Sequence, residues 1–271
     1  MKCTVCDSEA EVFDAGMHLF RCHRCGHTFT RLPPGERETF GAEYYEDSHK
    51  NWFDHPNFGL FRRAEDAVVR ARGAQDVALL DVGCGRGDFL KWLHARRPGW
   101  KLAGLDLSPN DLGDIPFIQG DVFQIRIDAK YDAITLFSVI AHLEENRPFL
   151  ERMRTLLKPG GLLVINTFNT DSLIFRIARA LRALGLASPF QRLYSHHHLQ
   201  HYSKQSIREV LDRTGFEIVR HACHNYPVQA VDVPRSNPLV ESMYRAFAGL
   251  IFLVSGPLGL GVQHTVVCRP R

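Results

Sequence analysis

Apolar residues along this chain recur with two periods, and the order in which those periods alternate predicts most of the architecture. Helical spacing over residues 58–72 leads into a strand at 77–82, a helix at 87–97 and a strand at 101–107. A short strand at 116–119, a strand at 131–137, a helix at 145–157 and a strand at 162–168 continue the series. Strands that alternate with helices are joined by crossovers, so the pattern predicts an α/β domain whose mostly parallel sheet is covered on both faces. Past Phe168 the rhythm changes. Residues 171–185 read as an amphipathic helix with Leu173, Ile174, Ile177, Leu181 and Leu184 on one side and Arg176, Arg179 and Arg182 on another. A helix opening after Ser203, with Ser206 and Glu209 as capping partners, ends at Gly215. A strand at 216–223, an insertion with an apolar helix at 239–254 and a strand at 263–269 follow.

Ahead of this domain, residues 1–30 are turn-rich and marked by cysteine, and a Pro-Pro-Gly run follows at 33–35. Residues 39–57 mix acids with Phe40, Tyr44, Tyr45, Trp52 and Phe53, which reads as an ordered helical linker. The resulting division is a small module at 1–32, an aromatic linker at 33–57 and the α/β domain at 58–271. Helical insertions at about 171–202 and 226–260 form a lid.

Composition narrows the class. With 45% hydrophobic and 23% charged residues the chain can bury a core, which argues against disorder. A net charge of +3 falls short of the basic balance of a dedicated nucleic-acid binder. Of seven cysteines, Cys84, Cys223 and Cys268 are scattered, so no disulfide framework is expected. The N-terminus shows no apolar run of signal-peptide length, and a reducing cytoplasm is the expected compartment. The apolar run from Ala246 to Val254 is too short to span a bilayer, although it suits contact with a membrane surface.

Chemistry first shows in Asp81-Val82-Gly83-Cys84-Gly85-Arg86-Gly87, where three alternate glycines follow an apolar strand and open a helix. A tight strand-to-helix turn needs positive φ and lets backbone amides approach a ligand. Such a string alone also suits a dinucleotide. Asp106 stands 19 residues past Gly87, at the end of the next strand, placed to accept ribose hydroxyls. Asp121, at the following strand end, is placed to accept from an adenine amino group. Three acids at three successive strand ends favour a cationic ligand without phosphates, and S-adenosylmethionine (SAM), a sulfonium, fits that charge.

On these residues the core, 77–168, resembles the class I SAM-dependent methyltransferases. Asp81 to Gly87 match the family's first motif, Asp106 its ribose-binding acid, Gly120-Asp121 its adenine-side acid, and Leu157 to Leu163 the turn and strand after the fourth helix. The resemblance implies a Rossmann-like seven-stranded sheet in order 3-2-1-4-5-7-6 with the last strand antiparallel. It also implies a cofactor surface that includes Cys84, Leu107, Val122 and Phe137. Only 14 residues separate Asp106 from Asp121, so the helix between them must be shortened or lost.

Cys3-x-x-Cys6, fifteen residues, then Cys22-x-x-Cys25 is the spacing of a tetrahedral thiolate site. Zinc suits four thiolates, and four protein ligands leave no position for water, which makes the ion structural; rubredoxin-like iron is the alternative metal. His18, His23 and His27 nearby read as surface residues. Ribbon, linker and core together are similar to methyltransferases of bacterial polysaccharide and natural-product clusters. Some RNA methyltransferases also carry ribbons, but aromatic-basic interleaving is missing here, as is the Asn-Pro-Pro-Tyr string of base methyltransferases.

Two histidines are candidates for the chemistry. His142 falls just past the fourth core strand, where α/β folds place ligands; related ubiquinone-pathway O-methyltransferases have a similar histidine. His198, in the run His196 to His201, belongs to a His-Leu-x-x-aromatic-Ser pattern of such relatives. Four arginines between 172 and 192, with no acid among them, suit a phosphorylated, nucleotide-linked or lipid-linked acceptor. The expectation is methyl transfer to a small-molecule acceptor, a hydroxyl of a sugar, quinone, polyketide or lipid-linked intermediate. The alternatives are a ribbon-guided RNA methyltransferase and a SAM-binding scaffold without catalysis.

Overall fold

The protein, seen in a computed structural model, is described over residues 1–33, 54–195, 197–231 and 238–271. Most of the aromatic linker lies outside the described residues. Three antiparallel strands, β1 (Ala10–Asp14), β2 (Leu19–Cys22) and β3 (Thr28–Thr30), form the N-terminal module. The core sheet then builds from β4 (Ala78–Val82), β5 (Lys101–Asp106), β6 (Phe117–Gln119), β7 (Tyr131–Phe137) and β8 (Leu157–Phe168), all parallel. Helices α1 (Phe58–Arg72), α2 (Asp88–Arg96) and α3 (Asn146–Leu156) cover it. Residues 107–116 contain no helix, as the short Asp106–Asp121 spacing requires.

After β8 come α4 (Leu173–Ala183), α5 (Ser188–Leu193), the two-residue strand β9 (Gln200–His201), α6 (Lys204–Arg213), β10 (Phe216–His224), α7 (Pro238–Ser255) and β11 (Gln263–Pro270). The large sheet runs β10-β11-β8-β7-β4-β5-β6, and β11 is antiparallel to both neighbours. Numbered within the core alone, this is the expected 3-2-1-4-5-7-6 order.

Alternation along β4 explains the two-layer core. Leu79 belongs to one buried cluster with Val68 and Phe89, while the adjacent Leu80 belongs to another with Ile134, Leu150 and Ile165. The second cluster does not stop at the sheet: it continues through Tyr202 and Ile207 into Val5 and Phe29 of the N-terminal module.

Several boundaries depart from the sequence pattern for identifiable reasons. The strand expected at 162–168 begins at Leu157, and its register against β7 shifts between Tyr131 and Ala133, so Pro159-Gly160-Gly161 is absorbed as an irregularity of the strand. Ser203 caps α6 through a reciprocal pair with Ser206, leaving Glu209 to hold Arg213 at 2.7 Å. His27 is not at the surface: it is fully buried, and its Nε2 meets Gln200 Oε1 at 2.7 Å. His23 is exposed as expected.

Candidate active site

Beyond β4 the chain turns through Gly83, Gly85 and Gly87, with φ of 70°, 51° and 72°. A Cβ at Gly83 would stand 2.5 Å from Val139 Cγ2, and one at Gly87 would run into Leu112, so the turn requires glycine for both angle and space. The amide of Gly83 donates to Leu105 O at 2.7 Å, tying the turn to β5. Gly85 N donates to Asp106 Oδ2 at 2.8 Å, and Ser108 N donates to its Oδ1 at 2.9 Å. Each carboxylate oxygen keeps lone-pair capacity beyond these bonds.

Asp81 lies beneath the turn, buried, and accepts from Thr135 Oγ1 at 2.6 Å. Burial raises its carboxyl to about 7; the Thr135 bond opposes the shift and the nearby Asp106 charge adds to it. Burial likewise pushes the Cys84 thiol far up, with help from the charges of Asp81 and Asp106. Asp121 opens the turn after β6, where its Oδ1 accepts from Phe123 N at 2.9 Å.

One cavity of about 780 Å³ gathers these groups: Asp81, Gly83, Cys84, Gly85, Asp106, Leu107, Asp121, Val122 and Phe137 all line it. Gly87 does not; it caps α2 in the left-handed conformation. The cavity extends past Phe137 to His142 and His198, whose ring centroids are 4.9 Å apart. His142 Nδ1 lies 2.6 Å from the carbonyl oxygen of His197. A carbonyl only accepts, so the proton sits on Nδ1 and Nε2 is the basic nitrogen. Apolar and aromatic residues from α4 and α7, among them Ile177, Leu181, Tyr244, Phe247 and Ile251, roof this end.

Three features here carry no local signal along the chain. Ser138, at the end of β7 on the cavity wall, holds φ of 63°, a strained angle for a residue with a Cβ. His197 anchors the candidate base through its backbone, which no side-chain motif reports. The arginines are also redistributed: Arg176 and Arg179 donate to backbone oxygens of Asp171 and Thr170, and Arg182 pairs with Asp14 of the N-terminal module. Only Arg192 of the four lines the cavity, so the expected basic cluster is largely spent on holding structure.

In the N-terminal module all four cysteines are buried, with Sγ–Sγ separations of 3.7 Å for Cys3–Cys25 and 3.5 Å for Cys6–Cys22. Tetrahedral zinc with Zn–S near 2.3 Å has S–S edges of about 3.8 Å, so the donor set suits such an ion. The module is bound into the α/β domain. β3 pairs with β9, and Gln200 at that seam uses its whole amide: Oε1 accepts from Thr4 Oγ1 and meets His27 Nε2, while Nε2 donates to Leu143 O and Glu144 O. Asp7 pairs with Arg147 and Arg213, and Arg31 with Glu145. The loop that carries His197 and His198 thus runs directly into a strand of the module's own sheet.

A glycine turn at the carboxyl end of a parallel strand, acids at the neighbouring strand ends and an antiparallel final strand define the Rossmann-like methyltransferase class. A methyltransferase domain family model matches residues 54–221, and the chain belongs to that family. It is 29% identical to the trans-aconitate 2-methyltransferase of Methylobacterium nodulans over 48% of this chain, a match spanning about half (52%) of that relative's length. It is 25% identical to the ubiquinone biosynthesis O-methyltransferase of Rickettsia typhi, over 63% of this chain and 76% of that protein. The fold is shared with Burkholderia thailandensis 1,6-didemethyltoxoflavin-N1-methyltransferase, solved with 1,6-didemethyltoxoflavin and S-adenosylhomocysteine, at a TM-score of 0.53, 16% identity and 97% and 99% coverage of the two chains. Among the described residues, no helix is long and apolar enough to cross a membrane.

Proposed function

We propose that this enzyme transfers the methyl group of SAM to a hydroxyl of a small-molecule acceptor, a sugar, quinone, polyketide or lipid-linked intermediate. The observation that carries the reading is a continuous cavity with the glycine turn and three acids at one end and His142, its proton fixed on Nδ1, at the other. Asp81, Gly83, Gly85, Asp106 and Asp121 would hold the cofactor, with Leu107, Val122 and Phe137 against its apolar parts. SAM supplies an electrophilic methyl on a sulfonium. The chain's own residues do the rest. His142 accepts the hydroxyl proton at Nε2, and His197 O stabilises the resulting imidazolium through the Nδ1 hydrogen bond. His198 packs on His142 and Phe168, fixing the approach of the acceptor.

The likeness to an O-methyltransferase of ubiquinone biosynthesis supports a hydroxyl acceptor. The apolar roof of α4 and α7 supports one with a substantial apolar part, and the exposed Leu239, Met243 and Phe247 on α7 support delivery from a lipid surface. We assign zinc to the four cysteines as a structural ion, and the helical segments around 171–202 and 226–260 to a lid over the acceptor.

Calorimetry with SAM tests the foundation: the wild-type chain binds it, and no heat of binding would overturn the reading. Turnover to S-adenosylhomocysteine is then measured against quinols, nucleotide sugars and prenylated phenols. His142→Ala loses at least about 100-fold in turnover while SAM affinity is retained; unchanged turnover would remove His142 from the chemistry.

A further inference from the structure

A second cluster of metal-ligand chemistry lies away from both the cavity and the four cysteines. In the β10–β11 ladder, Cys223 stands directly opposite His264, and His221 is two residues along β10 on the same face. Their side chains converge: His221 Nε2 is 3.2 Å from His264 Nδ1, and these two atoms and Cys223 Sγ all lie within 4.8 Å of one another. A tetrahedral ion bound by two imidazoles at about 2.0–2.1 Å and one thiolate at about 2.3 Å needs N–N edges of about 3.3 Å and N–S edges of about 3.6 Å. The two rings already stand at that spacing.

The surroundings suit a ligand role better than a packing one. His264 is fully buried, and its Nε2 has no hydrogen-bond partner, an arrangement that apolar packing does not account for. His221 and Cys223 are half-buried, which leaves a solvent side for a fourth ligand. The charges facing the cluster are Lys204 and Arg208 of α6 and, beside Cys223, Asp171. Lys204 Nζ donates to Gly259 O at 3.0 Å and also lies beside Cys223, whose Sγ accepts from Asn169 Nδ2 at 3.7 Å.

We propose that His221, Cys223 and His264 bind a thiophilic divalent ion of the zinc type. The place gives the site a purpose. β10 leaves the sheet after His224 and β11 re-enters at Gln263, and the excursion between them carries α7, which roofs the cavity with Tyr244, Phe247 and Ile251. An ion at Cys223 and His264 ties the two roots of that excursion together.

The test compares the full-length wild type with His221→Ala and Cys223→Ser after equilibrium dialysis against Zn²⁺ and removal of unbound ion. Each variant retains one ion fewer per chain than the wild type, while SAM binding persists. Because the difference is counted, the outcome does not depend on how many ions the four N-terminal cysteines hold. Equal metal content in all three proteins overturns the proposal. A second measurement needs no substitution: Zn²⁺ slows alkylation of Cys223 by iodoacetamide in the wild type, followed by peptide mass spectrometry. Alkylation of Cys223 at the same rate with and without Zn²⁺ would also overturn it.

Discussion

Asp81 shows how one buried side chain sets a pH response. Its carboxyl titrates near 7 in the folded chain because burial disfavours the charge, whereas an ordinary carboxylate titrates near 4. Between those values the folded state holds the proton more tightly than the unfolded one, so Asp81 removes stability as pH rises through that window. A cationic ligand reverses the preference by favouring the ionised form. SAM affinity is therefore expected to strengthen about tenfold between about pH 6 and pH 8, with proton release on binding. Calorimetry in buffers of different ionisation enthalpy reads both effects. Asp81→Asn flattens the profile, and a profile identical to wild type would show that another group controls it. The residue was legible in the sequence as one of three strand-end acids; its raised pKa was not, because burial and the Thr135 bond depend on β7.

At the scale of elements, β9 has only two residues, and its signal was hidden inside a histidine run. Gln200 is nonetheless the seam between two parts of the protein, joining Thr4 and His27 to the carbonyls of Leu143 and Glu144, just beyond His142. Gln200→Leu keeps the volume but takes the amide oxygen away from the buried Thr4 Oγ1 and His27 Nε2, at about 1–3 kcal/mol for each group left unsatisfied. The expected loss is about 2–5 kcal/mol in urea unfolding, accompanied by lower turnover from displacement of His142. A change below about 0.5 kcal/mol would show that water replaces the amide. By contrast, α6 was readable from Ser203 and Gly215, since a cap and a stop are local chemistry.

Across the whole molecule, the N-terminal module is a strut under the loop that carries His197 and His198. Its core is continuous with that of the enzyme domain, and ion pairs from Asp7, Asp14 and Arg31 cross the junction. Removing metal with a chelator is expected to lower the melting temperature and speed amide exchange at Leu199 and Gln200, where β3 and the loop meet. Exchange at Gly83 and Cys84, bonded to Leu105 O of β5, is expected to change little. Uniform loosening of both regions would contradict the strut, and so would loosening of neither.

The sequence by itself determined the alternating core, the glycine turn, the three strand-end acids and the four-cysteine spacing. All of these are encoded over short stretches, where propensity and turn chemistry act within a few residues. Tertiary structure alone decided the rest: the burial of His27 against Gln200, 173 residues away, the pairing of Arg182 with Asp14, the proton on His142 Nδ1 and the meeting of His221 with His264. Each of these joins groups distant along the chain, and no local pattern fixes which buried partners will satisfy one another until the sheet brings them together.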